Sequence, residues 1–200
     1  MKKFIVFSLL CAIACCTVSI ANAKDETQTK DAFAVIHSRK SVRNFTGKSV
    51  SKVDLEKIVK AGMAAPTAVN KQPWSFVIVT EKKKMNELSA GLPYASMLSK
   101  AGAAIIVCAE PEKAAGGSKE YAVIDASLAS ENILLAIEAI GLGAVWTAAY
   151  PSEERMELVR KVLDIPKNII PLNVIPVGHP TGEDKPKDKF KKENIHWETW

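Results

Sequence analysis

Arg39, Ser41 and Arg43 stand at every second position, so an extended backbone sends all three side chains to one side, whereas a helix spreads them. Two guanidinium forks and a hydroxyl on one side are compatible with a concave anion site. The ligand they match is a phosphate monoester, which carries about −1.5 to −2 charge at pH 7 and several acceptor oxygens. Taken alone, a basic cluster following a short helix is more often a solvated cap at the helix's carbonyl end.

A second constellation is the stretch 65–74, Ala-Pro-Thr-Ala-Val-Asn-Lys-Gln-Pro-Trp, a loop between a helix and a strand. Two prolines stiffen it, and stiff loops suit pre-organised binding. Asn70 offers an amide donor and a carbonyl acceptor, as the alternating polar edge of a flavin or a base requires; Asn is also a common turn former. The third is Gly141-Leu142-Gly143 with the small residues after it. Small residues let a flat ring approach the backbone, and tight helix-to-strand packing explains those glycines as well. Cys108 lies in an apolar β-type run, where a thiol behaves as a small buried hydrophobe. His37, His179 and His196 show no paired-ligand spacing, which sets metal catalysis aside.

These residues need elements to place them. Residues 32–37 read as a short helix running into the basic cluster. Ser51-Lys52-Val53-Asp54 has the capping-box form, and Leu55, Ile58, Val59, Gly62 and Met63 then repeat at the spacing of one buried helical face. Pro66 cannot continue that helix, which stops near Ala65. Residues 74–80 and 103–109 are apolar β-type runs, both expected to be buried, with a polar helix at 82–90 between them. Residues 119–140 form a long helix with little polar face, as in a helix covered on several sides. The glycines end it, 144–150 forms a third strand, Ser152 opens a helix to about Leu163, and 172–177 is a fourth strand. The aromatic end Ile195-His196-Trp197-Glu198-Thr199-Trp200 is too apolar to be left in solvent and is expected to pack on a neighbour. Strands separated by helices, without repeat or long linker, argue for one domain: an α/β sandwich with a sheet covered on its faces.

Of 200 residues 48% are apolar and 24% charged, which fits one ordinary globular domain. Lys2 and Lys3, an apolar run over 4–20 and Ala21-Asn22-Ala23 have the form of a secretory leader cleaved before Lys24, leaving a domain over 24–200 and a periplasmic location. A membrane anchor needs a longer apolar run of roughly 20 residues. Lipoprotein processing at Cys15 or Cys16 is the other option. Cleavage removes Cys11, Cys15 and Cys16, so only Cys108 stays and no intrachain disulfide can form. Taking Lys2 and Lys3 from 27 basic residues leaves 25 against 22 acidic, a charge of +3, too small to argue for nucleic acid.

In combination and order these segments resemble the FMN-dependent nitroreductases. Arg39-Lys40-Ser41-Val42-Arg43 is similar to that family's first phosphate-binding motif, and 65–74 to its Pro-Ser-x-x-Asn-x-Gln-Pro-Trp loop. Residues 132–146 are similar to its central helix and glycine-rich turn, and the likeness runs on through Ile175-Pro176-Val177-Gly178-His179-Pro180, covering 30–200. The resemblance implies an α+β fold with a central mixed sheet flanked by helices, and a homodimer with FMN at the interface. It implies that Arg39, Lys40 and Ser41 meet the phosphate and that Arg43 reaches the ribityl chain or the pyrimidine side, where its charge tunes the reduced flavin. Lys187 or Lys189 completes the phosphate site. Pro66, Thr67 and Ala68 contact the flavin of the other subunit, Asn70 lies beside the ring, and Thr147 and Ala148 offer backbone contacts. Lys40 and Thr67 are mild departures from the family pattern; the tail has lysines where many relatives have arginine, losing the bidentate fork. The implied activity is that of an NAD(P)H oxidoreductase passing electrons through flavin to nitroaromatic, quinone or similar small aromatic acceptors in ping-pong order. The short stretch 110–119, with Gly116-Gly117, implies an open pocket and a broad acceptor range. An exported flavin-binding module with little turnover is the alternative.

Overall fold

Ser51 caps its helix as the capping-box pattern predicts: its Oγ accepts from the Asp54 amide at 3.0 Å and donates to the Asp54 carboxylate at 2.7 Å. Helix α2, Lys52–Gly62, follows and buries Leu55, Ile58, Val59 and Gly62. The computed structural model describes residues 31–200. The expected leader, residues 1–23, and its cysteines lie outside the described residues.

Among the described residues the remaining α-helices are α1 (Ala32–Ser38), α3 (Lys82–Gly91), α4 (Lys119–Ala139) and α5 (Glu153–Leu163). Ser118 caps α4 and Ser152 caps α5, each accepting from the amide three residues on. Five strands, β1 (Trp74–Val79), β2 (Ala103–Ala109), β3 (Gly143–Ala144), β4 (Thr147–Ala148) and β5 (Ile170–Gly178), form one sheet in the order β1-β2-β5-β3, with β4 also on β5. Every residue of β2 and β5 is buried. Because successive side chains in a strand point to opposite faces, both faces of the sheet are covered. Helix α4 packs on the sheet and carries α2, while α5 packs on β5 and α3. The result is an α+β sandwich.

Four details differ from the sequence expectations. All ladders are antiparallel, and the parallel component of the mixed sheet is confined to the isolated bridge Ser41–Ala144. β1 is an edge strand, so it is only partly buried, with Ile78 exposed. The single strand expected at 144–150 is two short ones in a shared register on β5: Ala144 faces Val177 and Thr147 faces Val174. The interruption, Val145 and Trp146, thus falls opposite Ile175 and Pro176, and Pro176 has no N–H to give a ladder. Finally, α4 is covered on several sides, by the sheet, α1 and α2, but a stripe of its apolar surface is left open: Tyr121, Ile124 and Leu128, at helical spacing, remain 42–54% exposed.

Cys108 sits in β2 with 1% exposure. Burial pushes its thiol from the ordinary 9.0 up to about 12, the Glu110 carboxylate adds to this, and Arg160 opposes it. The fold therefore favours the neutral thiol: that contribution to stability is complete below the ordinary thiol range and is lost as pH rises toward 12. Cys108 is expected to ignore a chromogenic disulfide reagent at pH 8 in the native protein and to react fully in denaturant; fast native labelling would show that β2 opens.

Candidate functional site

The chain leaves α1 at Arg39 with φ −57° and ψ 134° and runs extended along the sheet edge. Ser41 bridges Ala144, the Val42 amide donates to the Ala144 carbonyl at 2.8 Å, and Val42 is buried at 1% exposure. Alternation then holds from Ser41 to Arg43 as the spacing predicts. Val42 points inward, while Arg39, Ser41 and Arg43 face one cavity of about 570 Å³. Gly143 permits this approach: a Cβ there would lie 2.7–2.8 Å from three Val42 side-chain atoms. Tight packing accounts for Gly143, but against the extended edge segment at Val42 and not between helix and strand as expected. Gly141 has φ +76° and open space around it, the left-handed turn that ends α4.

The other wall of the cavity is the C-terminal tail. Beyond β5, Phe45 bridges Pro180, the Thr46 amide donates to the His179 carbonyl, and the Thr181 amide donates to the Asn44 carbonyl. Asp184 then accepts from the amides of Arg43 at 3.1 Å and Asn44 at 3.2 Å, and from the Asn44 side chain at 3.4 Å, all on one carboxylate oxygen. Past this tie Lys187 and Lys189 both line the cavity, so the choice between them is not forced. Arg39, Lys40, Arg43, Lys185, Lys187 and Lys189 line it against two carboxylates, Glu183 and Asp184. One of those carboxylates is already occupied by backbone amides. The donor set fits a phosphate: guanidinium forks and a hydroxyl on the rigid edge, ammonium groups on the facing tail.

The cations differ in their freedom. Lys40 pairs with Glu138 at 3.1 Å, and Glu138, which also accepts from Ser38, is only 5% exposed. Removing one member of a buried pair strands the other charge, so Lys40 is tied into the helix–edge junction although it borders the cavity. Arg39 meets Glu131 at 3.5 Å, but that carboxylate is half exposed, and such a contact is worth little and exchanges readily. Among the described residues the Arg43 guanidinium makes only a 3.5 Å contact with the Ser41 carbonyl.

Pro66, Thr67, Ala68, Asn70, Thr147 and Ala148 do not line this cavity. The loop 66–72 is pinned instead to α4: the Ala68 amide donates to both oxygens of Asp125, at 3.2 and 3.3 Å, and Asp125 is 2% exposed. Thr67 Oγ1 accepts from the Gln72 amide, and Gln72 Nε2 donates to Asn70 Oδ1 at 2.9 Å. Val69, Asn70 and Gln72 all have positive φ, an arrangement that persists only where surroundings over-determine it. Asn70 itself is exposed, and the Thr147 hydroxyl donates to the Val174 carbonyl. Asp125, Glu138 and Asp184 hold these segments and were not found from sequence. Two of them carried a signal, since ionisable residues in an otherwise apolar helix need a buried partner.

The sequence profile of the Nitroreductase family matches residues 36–93 and 81–179. An Archaeoglobus fulgidus protein described as "Putative NADH dehydrogenase/NAD(P)H nitroreductase" is 40% identical over 174 residues, covering 86% of this chain and 99% of the relative. A crystal structure of a like-described protein from Parabacteroides distasonis superposes with a TM-score of 0.81 at 44% identity, covering 86% of this chain and 99% of that one. An FMN-dependent nitroreductase from Clostridium difficile superposes with a TM-score of 0.77 at 25% identity, covering 84% and 99%. The fold is the nitroreductase α+β sandwich. The chain belongs to the nitroreductase family.

Gly143→Ala tests the edge on which the cluster rests. The added methyl overpacks Val42, and such insertions cost about 1–3 kcal/mol, so the urea midpoint is expected to fall at unchanged slope. A variant as stable as the parent would mean that the 39–43 segment is free to move away.

Proposed function

We infer that this chain is an FMN-dependent oxidoreductase that takes electrons from a nicotinamide donor and passes them to nitroaromatic, quinone or similar acceptors in ping-pong order. One observation carries the reading: in a chain of this family, Arg39, Ser41 and Arg43 from the sheet edge meet Lys187 and Lys189 from the tail around one cavity. The names of the relatives above support both the flavin and the NAD(P)H donor. FMN, when bound, supplies the two-electron chemistry. Arg39, Ser41 and the tail lysines hold its phosphate. Arg43, exposed and held by no ion pair among the described residues, places positive charge by the pyrimidine side, where it stabilises the reduced form.

The reading includes a homodimer that completes the site. The uncovered stripe Tyr121, Ile124 and Leu128, exposed Val69 on the 66–72 loop, and an aromatic tail with Trp197 81% and Trp200 100% exposed supply apolar surface for a second subunit. Pro66, Thr67, Ala68 and Asn70 then serve the partner's flavin, and Thr147 and Ala148 offer backbone contacts. Lys40 keeps its place beside the phosphate while held by Glu138.

Purified protein is expected to be a yellow dimer that bleaches anaerobically with NADH or NADPH and recolours with a quinone. A yellow protein that no nicotinamide bleaches would favour the flavin-binding module, and a colourless one unable to take up FMN would end the flavin reading. Arg39→Ala should weaken FMN about ten- to a hundredfold, as for a lost bond to a charged group, by fluorescence titration. Arg43→Ala should lower the flavin midpoint potential; an unchanged potential would remove Arg43 from the tuning role.

We further propose that the enzyme works outside the cytoplasm. The support is the sequence of residues 1–23 alone, Lys2 and Lys3 before an apolar run and Ala21-Asn22-Ala23 after it. N-terminal sequencing of protein from the periplasmic fraction should start at Lys24. A lipid-modified start at Cys15 or Cys16 would replace cleavage by anchoring, and an intact chain in the cytosol would refute export.

A further inference from the structure

Asp184 is the last described tie between the tail and the sheet edge before the two lysines of the cavity. Its single oxygen collects the consecutive amides of Arg43 and Asn44 and the Asn44 side chain, across 140 residues of sequence or more. Upstream, the Thr181 amide and the Phe45–Pro180 bridge hold the tail to the same edge. Downstream, residues 185–191 have no regular structure, and Lys187 and Lys189 are exposed and unpaired among the described residues. A carboxylate beside an anion-binding cavity is unfavourable on charge alone. Here its charge is spent on backbone donors, and bonds to an ionised acceptor are the strong ones.

We propose that Asp184 is a positioning residue for the cofactor phosphate: it latches the root of the tail to the Arg43–Asn44 amides so that Lys187 and Lys189 reach the phosphate held by Arg39 and Ser41. The inference rests on the FMN reading above. It makes a prediction of sign. Were Asp184 only a bystander charge, removing it would tighten the binding of an anionic cofactor. A latch requires the reverse.

The test compares FMN with riboflavin, which lacks the phosphate, in apoprotein titrations of the full chain. Asp184→Ala should weaken FMN about tenfold and leave riboflavin unchanged. Asp184→Asn, whose amide oxygen can accept the same bonds more weakly, should recover most of the loss. In the Lys187→Ala/Lys189→Ala background, Asp184→Ala should cost little more, because the groups it positions are gone. FMN affinity that is unchanged or improved in Asp184→Ala, or an equal loss for FMN and riboflavin, overturns the latch while leaving the flavin reading intact. Parent protein that binds neither flavin overturns the reading and the latch together.

Discussion

Val42 donating its amide to Ala144, across the space that Gly143 leaves free, is the contact from which the candidate site is assembled. It turns a run that could have ended as frayed chain after α1 into an added edge of the sheet. Once Val42 is inside, Ser41 and Arg43 have to be outside, because alternate residues of an extended chain face opposite ways. The same edge then receives the tail through Phe45 and Pro180. Two segments far apart in sequence thus owe their facing positions to one short backbone pairing, and Pro176 adds a limit by breaking the partner strand just beyond it.

Acidic residues do much of the holding. Glu138 keeps Lys40 at the junction of α1 and α4, Asp125 keeps the Ala68 amide, and Asp184 keeps the tail. In two of these three the acceptor is ionised and the donor is a neutral backbone amide, so the bond adds rigidity without cancelling a cation needed elsewhere. The exception, Lys40 with the buried Glu138, removes one positive charge from free use. The cavity therefore depends on Arg39, whose partner is solvent-exposed and exchangeable, and on Arg43 and the tail lysines, which meet no competing carboxylate among the described residues.

Local rules made most elements legible. Ser51 and Ser152 mark helix starts because a hydroxyl satisfies orphan amides within its own turn, and the apolar period of α2 identifies its buried face. The alternation of Arg39, Ser41 and Arg43 was readable for the same reason. The rest depended on partners distant in sequence. Nothing near residues 144–150 reveals that Pro176 will stand opposite and split the strand, and nothing near β1 shows that it will lie at an edge. The Asp184 tie joins residues 140 and 141 positions apart. Lysines around Asp184 gave its sequence the look of a solvated charged tail, and only the fold brings the Arg43 and Asn44 amides to it.

The two walls of the cavity use different cations in a way that follows from their supports. Arg39 leaves a helix and Arg43 flanks a buried valine, so their guanidinium forks start from fixed backbone and can exploit directional, bidentate geometry. Residues 185–191 have no regular structure, and a planar fork there would lose much of its advantage to imprecise placement. Lysine loses less. Its compact charge and rotatable donors make useful contact over a range of positions, provided the root of the segment stays near the site. Under the flavin reading, lysines in place of the arginines common among relatives are thus compatible with phosphate binding, and the directional part of recognition falls to the sheet edge.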